Sequence, residues 1–208
     1  MAVQMMNQDI TSDSSSSSAL VTPALKPILL VCGPSGTGKT SLVRRLIDDG
    51  EGKFVRPQMV DKIAEGPRFE MMESRGQILK MIDSRYGVSA DGILNVADSS
   101  KGQVVVVDAD VELAEKLSKL SGARIIGVWV GLDSLDKLKD RFKTQIASKQ
   151  IRVPPGETEE SVIRGKIRKV IKDIEFGVVS GMFDFTILND DFEQSVVELK
   201  EAAEYCFK

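Results

Sequence analysis

The sequence predicts an α/β protein in which a parallel core sheet carries helices on its faces. Three observations predict it. From Pro27 onward, strand-like and helix-like segments alternate along the chain. The strand-like runs, such as Val104-Val105-Val106-Val107, are continuously apolar rather than alternating, as burial on both faces requires. A glycine-rich turn over 33–40 joins the first such run to an amphipathic stretch. With 208 residues and 42% apolar content the chain suits one medium-sized domain with a full core.

In chain order, the strands expected are Ile28 to Cys32, Gln103 to Asp108, Arg124 to Val130 and Phe185 to Leu188. Helices are expected over Thr40 to Asp48, Phe69 to Ser74, Asp91 to Ala97, Val111 to Leu120, Leu132 to Ser148, Glu159 to Val179 and Phe192 to Phe207. No internal repeat is visible. The stretch from Met1 to Lys26 differs in character: a serine run at 14–18, scattered apolar residues and a single base, Lys26. It reads as a disordered tail, with the domain starting at residue 27. A transit peptide is the alternative, but Asp9 and Asp13 are present and arginine is absent, against the acid-poor, Arg-rich pattern of such segments. The expected compartment is therefore the cytoplasm, with a plastid or mitochondrion as the alternative.

The turn Gly33-Pro34-Ser35-Gly36-Thr37-Gly38-Lys39-Thr40 fills the phosphate-loop template GxxxxGK[ST] at every fixed position. Its glycines let successive backbone N–H groups point inward at anionic oxygens, and the following helix adds its positive dipole end. Gly33, Ser35, Gly36, Thr37, Gly38, Lys39, Thr40 and Ser41 are thus candidate ATP-binding residues. Lys39 is placed to reach the β and γ phosphates, and Thr40 to offer its hydroxyl to Mg²⁺. A connecting turn needs one glycine, not a Lys-Thr pair behind three.

Composition narrows the remaining chemistry. The chain has no histidine, which removes Ser-His-Asp and Cys-His catalysis and His-based zinc sites and leaves Lys, Arg, Asp, Glu and a metal ion. Two cysteines, Cys32 and Cys206, give no disulfide framework and favour a reducing compartment. A net charge of -3 argues against nucleic acid or an anionic membrane as partner, and no apolar run reaches the roughly 18 residues of a membrane span. A monomer acting on a small molecule is expected. Asp108, at the end of the valine strand, stands where a phosphate-loop enzyme holds Mg²⁺ or its waters. Asp110, two places on, is either a second acid of that site or the N-cap of the next helix. Arg141, Lys143, Lys149 and Arg152 lead into Val153-Pro154-Pro155-Gly156, a swinging loop capped by Thr158. Arg141 and Arg152, with Lys39, are the candidate catalytic cations, the two arginines on a closing lid over about 141–160 that stabilise transferring charge.

Beyond these motifs the chain resembles a known family. GPSGTGKTSL is very close to the guanylate kinase form of the phosphate loop, and four more segments follow in that family's order. They are Arg85-Tyr86-Gly87, Val107-Asp108-Ala109-Asp110, the lid exit at 156–161 and the closing strand Gly181-Met182-Phe183-Asp184-Phe185-Thr186-Ile187-Leu188-Asn189-Asp190-Asp191. The resemblance implies a P-loop three-layer sandwich with a small acceptor-side subdomain and a lid, transferring phosphoryl from ATP, with Mg²⁺, to a nucleoside monophosphate. It implies that Asn189 lies beside the adenine, that Arg141 contacts phosphate from the lid side and that Tyr86 touches the acceptor phosphate. Asp108 and Asp110 would then face the metal and the acceptor.

The departures lie on the acceptor side. Residues 54–69 lack the family's double threonine and arginine pair, and Val88 stands where it has Ser or Thr. If Phe69 to Lys80 aligns with the helix before the family's guanine-reading glutamate, Lys80 or a neighbour takes that place, and a lysine donates but cannot accept. Ser89 is a possible substitute for the lost hydroxyl, and Arg56, Lys62, Arg68, Arg75 and Arg85 for the lost phosphate grip. Donor chemistry looks complete and GMP recognition rebuilt, so weak GMP phosphorylation is expected. The alternatives are a kinase of another phosphorylated small molecule and a non-catalytic interaction module, the last disfavoured by the presence of Lys39.

Overall fold

The computed structural model describes residues 25–97 and 101–208. The serine-rich tail falls outside the described residues, apart from Leu25 and Lys26. In order the elements are β1 (Lys26–Cys32), α1 (Lys39–Asp49), β2 (Phe54–Val55), β3 (Met59–Asp61), α2 (Lys62–Glu65), α3 (Pro67–Ser74), β4 (Ile78–Ile82) and β5 (Tyr86–Ser89). There follow α4 (Ala90–Leu94), β6 (Val104–Asp108), α5 (Val111–Ser118), β7 (Ala123–Gly131), α6 (Leu135–Ala147), α7 (Glu159–Val179), β8 (Phe185–Leu188) and α8 (Phe192–Ala203), closed by a 3-10 turn at Glu204–Phe207.

Five strands form a parallel sheet in the order β2-β6-β1-β7-β8. Its central strand β1 reads Ile-Leu-Leu-Val-Cys over 28–32, every side chain fully buried, because each face packs on helices. The period of two then divides the core. Leu29 and Val31, with Val104, Val106, Val128 and Val130, face Leu42, Leu46, Val196 and Leu199 of α1 and α8. Ile28, Leu30 and Cys32, with Val105 and Val107, face Leu113 and Leu117 of α5 and pack with Trp129. Each such buried aliphatic side chain contributes about 1.5–3 kcal/mol, which makes the β1–β6–β7 core the rigid base of everything above it. Strand β1 begins at Lys26, one residue inside the expected tail, and the Lys26 ammonium donates to the Leu94 carbonyl at 2.6 Å.

A second, antiparallel sheet, β3-β5-β4, stands beside the first and forms the small subdomain. Its hairpin turns on Asp83 and Ser84, both at positive φ (50° and 55°), with the Arg85 N–H donating to the Ile82 carbonyl at 3.1 Å. That is the mirror-image turn whose twist suits paired strands. The helix before it is shorter than an alignment of 69–80 with one helix requires. It ends at Ser74, and Gly76 at φ 67° turns the chain into β4, so Lys80 lies on a strand rather than on a helix.

Helices α6 and α7 pack on each other through Leu138, Phe142 and Val170, with Leu135, Ile163 and Ile167 around them. The connection between them is pinned at its start, where the N–H groups of Gln150 and Ile151 donate to the Gln145 carbonyl. Its far end is a turn in which Glu157 N–H reaches the Pro154 carbonyl at 3.1 Å. Thr158 then caps α7 through the Ser161 N–H. No described helix is long and apolar enough to cross a membrane.

Candidate functional site

The turn between β1 and α1 wraps its own backbone around a concavity. Thr37 is fully buried and its hydroxyl donates to the Pro34 carbonyl at 3.0 Å, while the Lys39 ammonium reaches the same carbonyl at 2.8 Å. Burial pushes the Lys39 pKa down, and the nearby Asp108 carboxylate opposes the fall. A cation held half-buried, with no carboxylate hydrogen-bonded to it, is set for an anion.

Two close approaches fix this loop. Gly38, at φ 90°, lies against Asn189, where a Cβ would come within 2.4 Å of the side-chain nitrogen. Gly36, at φ 87°, lies on the Phe142 ring, where a Cβ would meet the ring at 2.8 Å. Both positions need positive φ and the absence of a side chain, so the N–H groups stay turned into the cradle. This cradle fits the phosphates of ATP. Oxygen donors stand at its rim: the Thr40 hydroxyl donates to Asp108 Oδ2 at 2.5 Å, at the carboxyl end of β6. A hydroxyl and a carboxylate are the hard oxygen ligands that Mg²⁺ takes, so these two residues fit the metal. Among the described residues no cluster of three or more His, Cys, Asp or Glu competes for that role.

The cradle opens on a cleft of about 720 Å³ between the two sheets. Ser35, Ser41, Asp108 and Asp110 line it from the core, Arg56, Lys80 and Val88 from the small-sheet side, and Arg141, Gln145, Lys169 and Asp173 from α6 and α7. Arg141 is held in place: its guanidinium donates to the Gly36 carbonyl at 3.2 Å and the Asn189 carbonyl at 3.1 Å, tying α6 to the loop and to the end of β8. A smaller hollow of about 480 Å³ lies on its other side, lined by Lys137, Asp140, Thr144 and Asp190.

Several candidate residues are held by partners of their own, and Asp110 has the N-cap position that the sequence allows it. Asn189 is 4% exposed and its amide donates to the Thr37 carbonyl at 2.7 Å, so it braces the loop, and its neighbour Asp190 reaches the small hollow. Asp110 caps α5 through the Leu113 N–H at 3.1 Å and takes the Lys80 ammonium on its other oxygen. Burial works to raise the Asp110 pKa, but the Lys80 and Leu113 hydrogen bonds outweigh it and hold the carboxyl below its ordinary value. Tyr86 lies under the Arg85 guanidinium, 5.0 Å from the ring centre, and is not among the residues lining the cleft. Arg152 is exposed and also outside that lining. Ser89 is buried and caps α4 through the Gly92 N–H.

Of the five bases on the acceptor side, only Arg56 reaches the cleft. Arg68 pairs with Glu65, Arg85 with Asp61, and Lys62 sits over the Phe69 ring. Asp173 was not singled out by sequence; it is 7% exposed and pairs with Lys169 at 3.1 Å. Its signal was an acid following Ile163, Ile167 and Val170 at helical spacing, on a stripe otherwise apolar.

The chain matches no family model. It does align along most of its length with named relatives. Human guanylate kinase is 27% identical over 201 residues, covering 85% of this chain and 91% of the relative. The Schizosaccharomyces pombe guanylate kinase is 26% identical over 204 residues, covering 90% and 94%. That of Caulobacter vibrioides is 27% identical over 188 residues, covering 83% and 81%. Among solved structures, guanylate kinase from Anaplasma phagocytophilum superposes with a TM-score of 0.54 at 16% identity, covering 89% of this chain and 88% of that one, which speaks for the fold. Five ordered motifs, alignments of this length and a shared fold make the chain similar to the guanylate kinases along most of its length.

Proposed function

We propose that the protein catalyses ATP-dependent phosphoryl transfer to a nucleoside monophosphate, with GMP as the acceptor indicated by its relatives. The observation that carries this reading is one arrangement: Lys39 in its cradle, the Thr40–Asp108 pair at 2.5 Å and a cleft running from both to a separate small sheet. A donor site opening on a walled second site is what transfer between two phosphates needs.

The ATP triphosphate takes the inward N–H groups over 33–41, and Lys39 exchanges the Pro34 carbonyl for β and γ oxygens. Thr40 and Asp108 hold Mg²⁺, which when bound neutralises charge on the donor phosphates. Arg141, fixed by two carbonyls, offers its remaining donors to the transferring group. The hollow beside Asp190 takes the donor base, with Asn189 acting through the loop it braces. Arg56 and Lys80 face the acceptor. Closure of the segment from about 148 to 158 excludes water and brings Arg152 to the phosphates, and Tyr86, on β5, meets the acceptor as the small sheet closes on the core.

The test is acceptor-dependent ADP release from Mg-ATP in wild type and Lys39→Ala. GMP-stimulated release in wild type, reduced at least a hundredfold in the variant, supports the proposal. Release that is equal with and without acceptor, or equal in the two proteins, refutes it.

A further inference from the structure

A guanine base presents two kinds of edge: O6 and N7 accept hydrogen bonds, whereas N1–H and the 2-amino group donate. Reading the donor edge takes acceptors, and every carboxylate that lines the cleft already accepts from another group. Three carboxylates line it among the described residues, and each is engaged. Asp108 accepts from Thr40, Asp173 from Lys169, and Asp110 from both the Leu113 N–H and the Lys80 ammonium. The Ser89 hydroxyl is committed to capping α4. What the small-sheet side does offer is cationic and apolar: Arg56 and Lys80 among Met59, Ile82 and Val88. Arginine and lysine only donate.

Lys80 is placed to decide the outcome. It points from β4 across the cleft to the N-terminus of α5, so it joins the small sheet to the core at the acceptor wall. Freeing Asp110 to read an amino group would strip Lys80 of its partner. We infer that Lys80 sets acceptor specificity, matching the O6/N7 edge that guanine shares with hypoxanthine and leaving the 2-amino group unread, so that IMP and GMP are comparable acceptors. This rests on the phosphoryl-transfer function proposed above. A site built to hydrogen-bond a substrate N–H rejects the analogue lacking it by about 10⁴–10⁵, because its buried acceptors are left unpaired. A site whose acceptors already hold donors of the protein leaves none unpaired when the 2-amino group is missing.

The experiment measures kcat/KM for GMP and for IMP with saturating Mg-ATP, in wild type, Lys80→Glu and Lys80→Gln. The ratio of the two values cancels any loss of folded enzyme, so a merely structural role for Lys80 leaves it unmoved. The expected wild-type ratio of GMP to IMP is below about 10, rising at least about tenfold in Lys80→Glu, with Lys80→Gln shifted the same way, since both introduce an oxygen that accepts from the 2-amino group. A wild-type preference for GMP above tenfold overturns the inference while leaving phosphoryl transfer standing. So does a ratio that neither substitution moves. Transfer to neither nucleotide, with Mg-ATP still bound, defeats the proposed function itself.

Discussion

Lys39 carries opposing costs. Burial disfavours its charge in the ligand-free protein, so Lys39→Met should unfold at the same temperature as wild type or slightly higher. The Pro34 carbonyl it leaves keeps the Thr37 hydroxyl as donor. Wild type at a hundredfold excess of Mg-ATP over Kd should gain about 2.7 kcal/mol, and the variant most of that less, as read by thermal unfolding with and without nucleotide. At the metal position, Asp108→Asn should raise the Mg²⁺ concentration needed for half-maximal turnover and cut the maximal rate by about 10²-fold or more. Unchanged Mg²⁺ titrations would leave Asp108 only a partner for Thr40. Asp110 titrates in a known direction. Its carboxyl is held low in the folded state, so its contribution is complete above the ordinary carboxylate value of about 4 and disappears as pH falls through the depressed one. The stability difference between wild type and Asp110→Asn should therefore be largest near neutrality and shrink as the pH falls below about 4, as denaturant titrations across that range would show.

At the scale of elements, α6 does two jobs. Phe142 lies under Gly36 and within the α6–α7 cluster, so Phe142→Ala should cost about 3–5 kcal/mol by denaturant unfolding and weaken ATP binding with it. Arg141 sits one residue earlier on the same helix and is tied to the loop, whereas the sequence groups it with the segment expected to close. The elements legible in the sequence were those with a strong period. The apolar strands β1, β6, β7 and β8 and the helix α7 fall where their patterns put them, α7 at its expected bounds of Glu159 and Val179. Strands β2 to β5 were not legible. All five residues of β4 are only partly buried, so no alternation marks it, and its hairpin turns on Asp83-Ser84 without the usual glycine. The donor site was readable because a phosphate loop is local in sequence. On the acceptor side the sequence names Arg56, Lys80 and Asp110 among others, but which of the five bases reaches the cleft and that Lys80 pairs with Asp110 depend on the fold.

At the scale of the molecule, a rigid parallel sheet holds the proposed donor site, a small antiparallel sheet holds the proposed acceptor wall, and the cleft lies between them. Lys80 reaches across it to Asp110. Ligands on both sides should draw the two together. Hydrogen exchange over 148–158 should therefore slow when a non-hydrolysable ATP analogue and GMP are present together and little with either alone, whereas the β1–β6–β7 core stays protected throughout. Unchanged exchange in that segment would make it a fixed surface loop.

The most direct measurement follows the transferred group itself. Incubation with Mg-ATP labelled in the γ-phosphate and with unlabelled GMP should move the label into the β-phosphate of GDP, one labelled GDP for each ADP formed, with Lys39→Ala showing neither product above the enzyme-free control. Label recovered as inorganic phosphate, or retained in ATP while folded wild-type protein binds both nucleotides, would contradict phosphoryl transfer between two sites of one cleft.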